Sequence, residues 1–144
     1  MPQFYPSIPP TLRDWALQQS LFFVASAPLT GHHINLSPKG LPNTSFAILG
    51  PNEAAYVDAT GSGSETISHL RENGRITLLF CSFDAAARIL RLFCRGDVIE
   101  WQDPTFGDYL HRMKGSNDEH VPAARAVIRL DVFKVYYPVL FNDT

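Results

Sequence analysis

The sequence predicts a mainly β single domain with α+β elements. About six short, mostly hairpin-connected strands close fully or partly into a barrel, with three short helices against it. Three observations predict this. Apolar, β-branched and aromatic runs recur at short spacing with turn residues between them, which is the pattern of antiparallel barrels. Only one strand–turn–helix–strand unit interrupts that pattern, too few for a parallel sheet. The chain has 144 residues, 45% hydrophobic and 18% charged, enough for one core and unlike a disordered segment.

The elements follow in order. Residues 1–10, MPQFYPSIPP, are proline-rich and read as extended. Thr11-Leu12-Arg13-Asp14 reads as a capping box with Asp in place of the usual Glu or Gln. It opens a helix to about Gln19, with Leu12, Trp15 and Ala16 on one face. Residues 21–27 and 33–37 are strands spaced like a hairpin about the turn at 28–31. Residues 38–44 read as irregular, 46–49 as short and extended, and 54–59 as a strand. After a Gly/Ser turn, a helix is expected from about Glu65 to Glu72. Ser64 is its N-cap, Gly74 its stop, and Ile67, Leu70 and Arg71 its inward face. Residues 75–83 are apolar on both faces, as in a central strand. Residues 88–101 form a long strand, expected to bend or bulge at Gly96. Asp103-Pro104 starts a helix carrying Phe106, Tyr109, Leu110 and Met113. Residues 114–122 are a polar loop, and 124–135 the last strand.

Charge and composition exclude several classes. The formal net charge is −2, from 12 basic and 14 acidic residues, so nothing drives the chain toward nucleic acid or an anionic membrane. The first ten residues lack the basic and apolar regions of a signal peptide. No apolar run approaches the roughly 18–20 residues of a membrane span. A cytoplasmic location is the expectation. Cys81 and Cys94 lie in apolar strand-like runs and read as buried, reduced thiols. No CxxC, HxH or HExxH spacing supports a metal site, and no GxSxG elbow supports a serine hydrolase.

The chemically informative stretch is residues 60–80, TGSGSETISHLRENGRITLLF. A turn of small residues opening onto a helix N-terminus is an anion site, because its N–H groups are unpaired and the helix dipole favours negative charge. Hydroxyls at Thr60, Ser62, Ser64 and Thr66 add donors. The turn lacks the lysine of a P-loop, and Thr66 stands where GxGxxG needs its third glycine. A mononucleotide or flavin phosphate remains, against an equal case for a plain chain reversal. Lys39, in Ser37-Pro38-Lys39-Gly40, is a candidate cation at a strand end or else a solvated loop lysine. Arg88, Arg91 and Arg95 interrupt an apolar strand and need partners. Those are Asp58, Glu65 or Glu100 in the structural reading, or a ligand phosphate in the functional one.

The segments FFVASAPLTGHHINLSPKGL and YVDATGSGSETISHLRENGRITLLFCSFDAAARILRLFCRGDVIE resemble the pyridoxamine 5'-phosphate oxidase-like, FMN-binding split-barrel family, and the resemblance runs from about Phe4 to Val135. It implies a six-stranded antiparallel split β-barrel, a homodimer, and FMN in clefts at the dimer interface. Carried over by position, Ser37, Lys39 and Gly40 lie along the flavin. Thr60, Gly61, Ser62, Gly63, Ser64 and Thr66 lie at or near its phosphate end, and Arg91 is a further candidate. Many members carry a lysine where Thr66 stands, so neutralising the phosphate falls to Lys39 or an arginine. True pyridoxamine phosphate oxidases add a C-terminal Arg/Trp segment unlike DVFKVYYPVLFNDT, so vitamin B6 synthesis is not expected. Residues 136–144 also replace a Cys-Gly-Tyr-Gly-like stretch, which implies a more open or reshaped pocket. The resemblance thus implies an FMN-dependent oxidoreductase for a small organic molecule, with NADH or NADPH as candidate reductant and no catalytic side chain assigned. The alternative is a non-catalytic flavin-binding module, or one for deazaflavin or haem, although no Cys or His stands poised as a haem ligand.

Overall fold

The computed structural model describes residues 2–59, 63–114 and 124–138. Along them run β1 (Pro2–Tyr5), α1 (Pro10–Leu17), β2 (Leu21–Ser26), β3 (Asn35–Gly40), α2 (Pro42–Ser45), β4 (Phe46–Gly50), β5 (Glu53–Ala59), α3 (Ser64–Glu72), β6 (Arg75–Cys81), β7 (Ile89–Glu100), α4 (Phe106–Lys114) and β8 (Ala124–Pro138). The sheet order is β3-β2-β6-β7-β8-β5-β4, with β1 on β8, and every pairing is antiparallel. Among these residues no helix is long and apolar enough to cross a membrane.

Strand patterning dictates the curl. On β2, alternate residues Phe22, Val24 and Ser26 are buried, and β6 repeats the pattern with Ile76, Leu78 and Phe80. β2 and β4 stand near opposite ends of the sheet order, yet the rings of Phe22 and Phe46 are 5.4 Å apart. Phe22 stacks on Phe80 at 5.2 Å, and Phe46 meets Phe80 edge-on at 5.0 Å. A flat sheet cannot bring those rings together, so this one closes on itself as a split barrel around an aromatic core.

Several expectations shift. Eight strands lie among the described residues, not six: β1 is the extended N-terminal segment paired to Tyr136, Tyr137 and Pro138, and so β8 runs past Val135. Thr11 forms no capping box, because α1 starts at Pro10 with Pro9 as its cap. β3 continues through Pro38 to Gly40 where irregular chain was expected; it is an edge strand, so the missing proline N–H costs no ladder bond. The register shift of the β7–β8 pair falls between Phe93 and Cys94, opposite Phe133, and not at Gly96. Gly96 is needed for packing instead: a Cβ there would stand 3.0 Å from Leu70 Cδ2, so the glycine lets α3 lie close on β7. Gly74 does stop α3, at φ +75°, as a residue without Cβ should. Asp103 does not cap α4 directly. It accepts from the N–H and hydroxyl of Thr105 at 2.8 and 2.6 Å, and the helix begins at Phe106. Phe106, Tyr109, Leu110 and Met113 pack on Ala55, Ile99 and Val127, the face expected of them. Cys94 is buried, and burial pushes its thiol pKa up, with Asp131 adding to the shift.

Candidate functional site

The site forms where β3, β5 and β8 meet the start of α3. Buried polar contacts hold α3 there. Ser26 Oγ lies 2.8 Å from His69 Nδ1, both buried, and Asn73 Nδ2 donates to the Ala27 carbonyl at 2.8 Å. Thr66, His69 and Leu70 are its buried residues, whereas Arg71 faces outward and pairs with Glu100. The expected inward face was therefore rotated by about one position, because a helix this short is placed by polar ties as much as by its apolar residues.

At the centre lies Asp58, on β5 and only 2% exposed. Arg125 donates to its Oδ2 through Nε at 2.9 Å, with Nη2 at 2.8 Å from the same oxygen. Lys39 Nζ stands 3.7 Å from Oδ1. The pairing of β5 with β8 shifts register between Asp58 and Ala59, and the bulge re-aims Arg125 toward the carboxylate. Arg125 Nη2 is buried and, beyond its 2.8 Å charge contact with Asp58 Oδ2, meets no further acceptor among the described residues. Such donors call for an acceptor. Lys39 also lies 6.0 Å from the ring centre of buried Tyr56, whose hydroxyl is kept neutral first by burial and then by the charge of Asp58.

Gly63 precedes α3 and is buried against this cluster. A Cβ at that position would run into Asp58 Oδ1, so only glycine fits. Ser64 is the exposed first residue of the helix, and Glu65 in the same turn pairs with His33 at 2.8 Å. Thr66 is buried, and its hydroxyl accepts from Asn35 Nδ2 at 2.9 Å. Ser37 donates to Asn35 Oδ1 at 3.2 Å. Just past Lys39 and Gly40 the backbone reverses through Leu41, a left-handed residue at φ 49°.

Of the residues singled out in the sequence, Ser37, Lys39, Gly63, Ser64 and Thr66 thus gather around one end of β5. Gly40 sits at the exposed end of β3 opposite Leu21. Thr60, Gly61 and Ser62 lie outside the described residues. Arg91 is elsewhere: it pairs with Tyr136, its guanidinium 5.0 Å from that ring, whereas Asp58 pairs with Ala126 ten residues earlier on β8. At strand spacing that is roughly 30 Å along the chain. The proposed partners of the arginines are also taken, Asp58 by Lys39 and Arg125 and Glu100 by Arg71. Arg125 itself went unremarked in the sequence, since Ala123-Ala124-Arg125-Ala126 reads as an ordinary strand start. Its one signal is a lone arginine among alanines too small to shield it.

These groups fit a phosphate. They offer two cations, unsatisfied guanidinium donors and the N–H end of α3 at one spot. The family model for pyridoxamine 5'-phosphate oxidase matches residues 8–138. A pyridoxamine 5'-phosphate oxidase family protein of Aspergillus flavus, ustO, is 63% identical over 135 residues, 94% of this chain and 53% of the relative. The chain therefore spans about half the length of that relative. A pyridoxamine 5'-phosphate oxidase-like structure from Lactobacillus delbrueckii shares the fold at TM-score 0.67 and 18% identity, covering 91% of this chain and 94% of that one. An FMN-binding protein from Syntrophomonas wolfei does so at TM-score 0.60 and 12% identity, covering 90% and 91%.

Proposed function

Since the chain belongs to the pyridoxamine 5'-phosphate oxidase family, we propose that it is an FMN-dependent oxidoreductase acting on a small organic molecule, with the flavin in a cleft between two copies of the chain. The convergence of Lys39, Arg125 and the start of α3 carries the reading, because it answers the need for a phosphate-binding cation that Thr66 cannot meet. Ser64 and the first N–H groups of α3 hold phosphate oxygens, and Lys39 and Arg125 balance their charge. β3 is an edge strand, so its free edge near Ser37 to Gly40 offers backbone donors to the flavin ring. When bound, the flavin supplies the redox chemistry, and the chain's residues bind, orient and desolvate it.

The outer sheet face supports the second copy. Leu36, Ala25, Thr77 and Phe93 form one cross-strand row, and Pro38, Phe23, Leu79, Arg91, Tyr136 and Phe4 the next. Leu36 is 65% exposed and Phe133, beside the first row, 60%. An apolar face of that extent is what a protein partner covers. Arg91 stands on it, and serves the cofactor of the other copy and not its own.

An absorption spectrum of the purified protein, with FMN and riboflavin titrations, tests the reading. A flavin spectrum, with the preference for FMN over riboflavin lost in Lys39→Ala combined with Ser64→Ala, supports it, and a colourless protein that takes up no added FMN ends it. A non-catalytic flavin module is the second reading, since the same phosphate site serves a bound flavin whether or not it turns over. Reduction of bound flavin by NADH or NADPH, followed by reoxidation with candidate acceptors, separates the two: no turnover with any donor leaves the binding module.

A further inference from the structure

We propose that Asp58 is a built-in competitor for the cofactor's phosphate, so that this chain holds its flavin mainly through the ring and ribityl part. The inference rests on the flavin reading above. Its basis is that Asp58 already occupies both cations, and the space at Gly63, that a phosphate would use. Its Oδ2 takes the Nε bond and the charge of Arg125 at 2.9 and 2.8 Å. Its Oδ1 lies 3.7 Å from Lys39 Nζ and fills the space above Gly63, where α3 begins.

Charge decides the consequence. Lys39 and Arg125 bring two positive charges and Asp58 one negative charge, which leaves one positive charge for the incoming group. A phosphate monoester carries nearly two negative charges at neutral pH. Glu65 adds another carboxylate in the first turn of α3. A phosphate arriving at Gly63 must therefore share its cations with a carboxylate that is 2% exposed and cannot swing into water. The unsatisfied Nη2 donors of Arg125 show where it gains, and Asp58 sets what it loses. The same carboxylate keeps both cations paired while no ligand is bound, which explains why an inhibitory charge is tolerated there.

The opposite role is easy to state: a carboxylate that only orients Arg125 would assist phosphate binding. The two roles predict opposite signs for Asp58→Asn, which keeps shape and removes charge. Fluorescence titration of FMN and riboflavin into both proteins reads the sign. Under competition, wild type prefers FMN over riboflavin by no more than about tenfold, and Asp58→Asn widens the preference by about tenfold or more through FMN alone. A weaker FMN affinity in Asp58→Asn, or equal affinity in both proteins, overturns the proposal while leaving the flavin reading intact. If Asp58→Asn does not fold, the wild-type preference decides alone, and a value well above about tenfold overturns the proposal. Thermal unfolding in added inorganic phosphate is the second arm. If neither protein binds a flavin but phosphate stabilises Asp58→Asn more than wild type, the flavin reading falls and the competition stands. If phosphate stabilises both alike and neither binds a flavin, both fall.

Discussion

Asn35 on β3 donates its side-chain amide to the hydroxyl of Thr66 on α3 at 2.9 Å, across 31 residues of sequence and with both side chains buried. Thr66 is thereby turned inward, where it ties the helix to the edge strand. Thr66→Val keeps the shape and removes the acceptor, leaving the Asn35 amide buried and unpaired. Such a loss costs about 1–3 kcal/mol, to be seen as a lowered urea midpoint at unchanged slope. In the Thr66→Val background Asn35→Leu should cost less than it does alone, since the Asn35–Thr66 bond is already gone while Ser37 loses its acceptor in either case.

Gly63→Ala should destabilise the chain by about 1–3 kcal/mol, because its Cβ has to displace the buried Asp58 carboxylate. In an Asp58→Gly background the same substitution should cost far less. A double-mutant cycle measures the difference, and a coupling near zero would show that the two residues do not compete for space.

Much of the fold was legible because strand pattern and core burial coincide. The strand expected at 21–27, the central strand expected at 75–83, of which 75–81 form β6, and the stripe of Phe106, Tyr109, Leu110 and Met113 each survive into the structure. Where two local signals competed, the sequence misled. Gly96 carries the ordinary mark of a bulge, but it is present because Leu70 presses on β7, a contact between residues far apart in the chain. Pro38 reads as a strand breaker until β3 is known to be an edge. Lys39 and the α3 start could be picked out singly. Arg125 could not, since what aims it is a register shift between Asp58 and Ala59 that no local pattern encodes.

High pH should unfold the protein through Tyr56. Burial, and then the charge of Asp58, raises its pKa in the folded state far above the ordinary 10.0. The folded chain keeps the proton that the unfolded chain gives up, so stability is whole below pH about 10 and falls as pH rises past it. Tyr56→Phe should flatten that fall by the slope of one proton in a series of urea midpoints. An unchanged slope would mean the hydroxyl titrates alike in both states.

Lys39→Met removes a cation from the cluster while keeping the apolar stem over Tyr56. FMN affinity should fall by about tenfold, with riboflavin affinity unchanged, as expected for a charge that meets only the phosphate. Equal losses for both ligands in a fluorescence titration would place Lys39 against the ring instead.

Phe133 is the extra residue at the β7–β8 register shift, pushed out of the ladder onto the outer face beside Phe93 and 60% exposed. A bulge that projects a phenylalanine into water is costly unless something covers it, and the second copy proposed above would do so. Phe133→Glu leaves the core untouched, because the side chain packs on no buried cluster. It should sediment as a folded monomer where the wild type sediments as a dimer. If the flavin sits between copies, with Arg91 reaching the partner's cofactor, the same variant should lose flavin on gel filtration although Lys39 and Arg125 are intact. Retention of flavin by a monomeric Phe133→Glu would show that one chain suffices to hold it, and would leave Arg91 to its Tyr136 ring, 5.0 Å away.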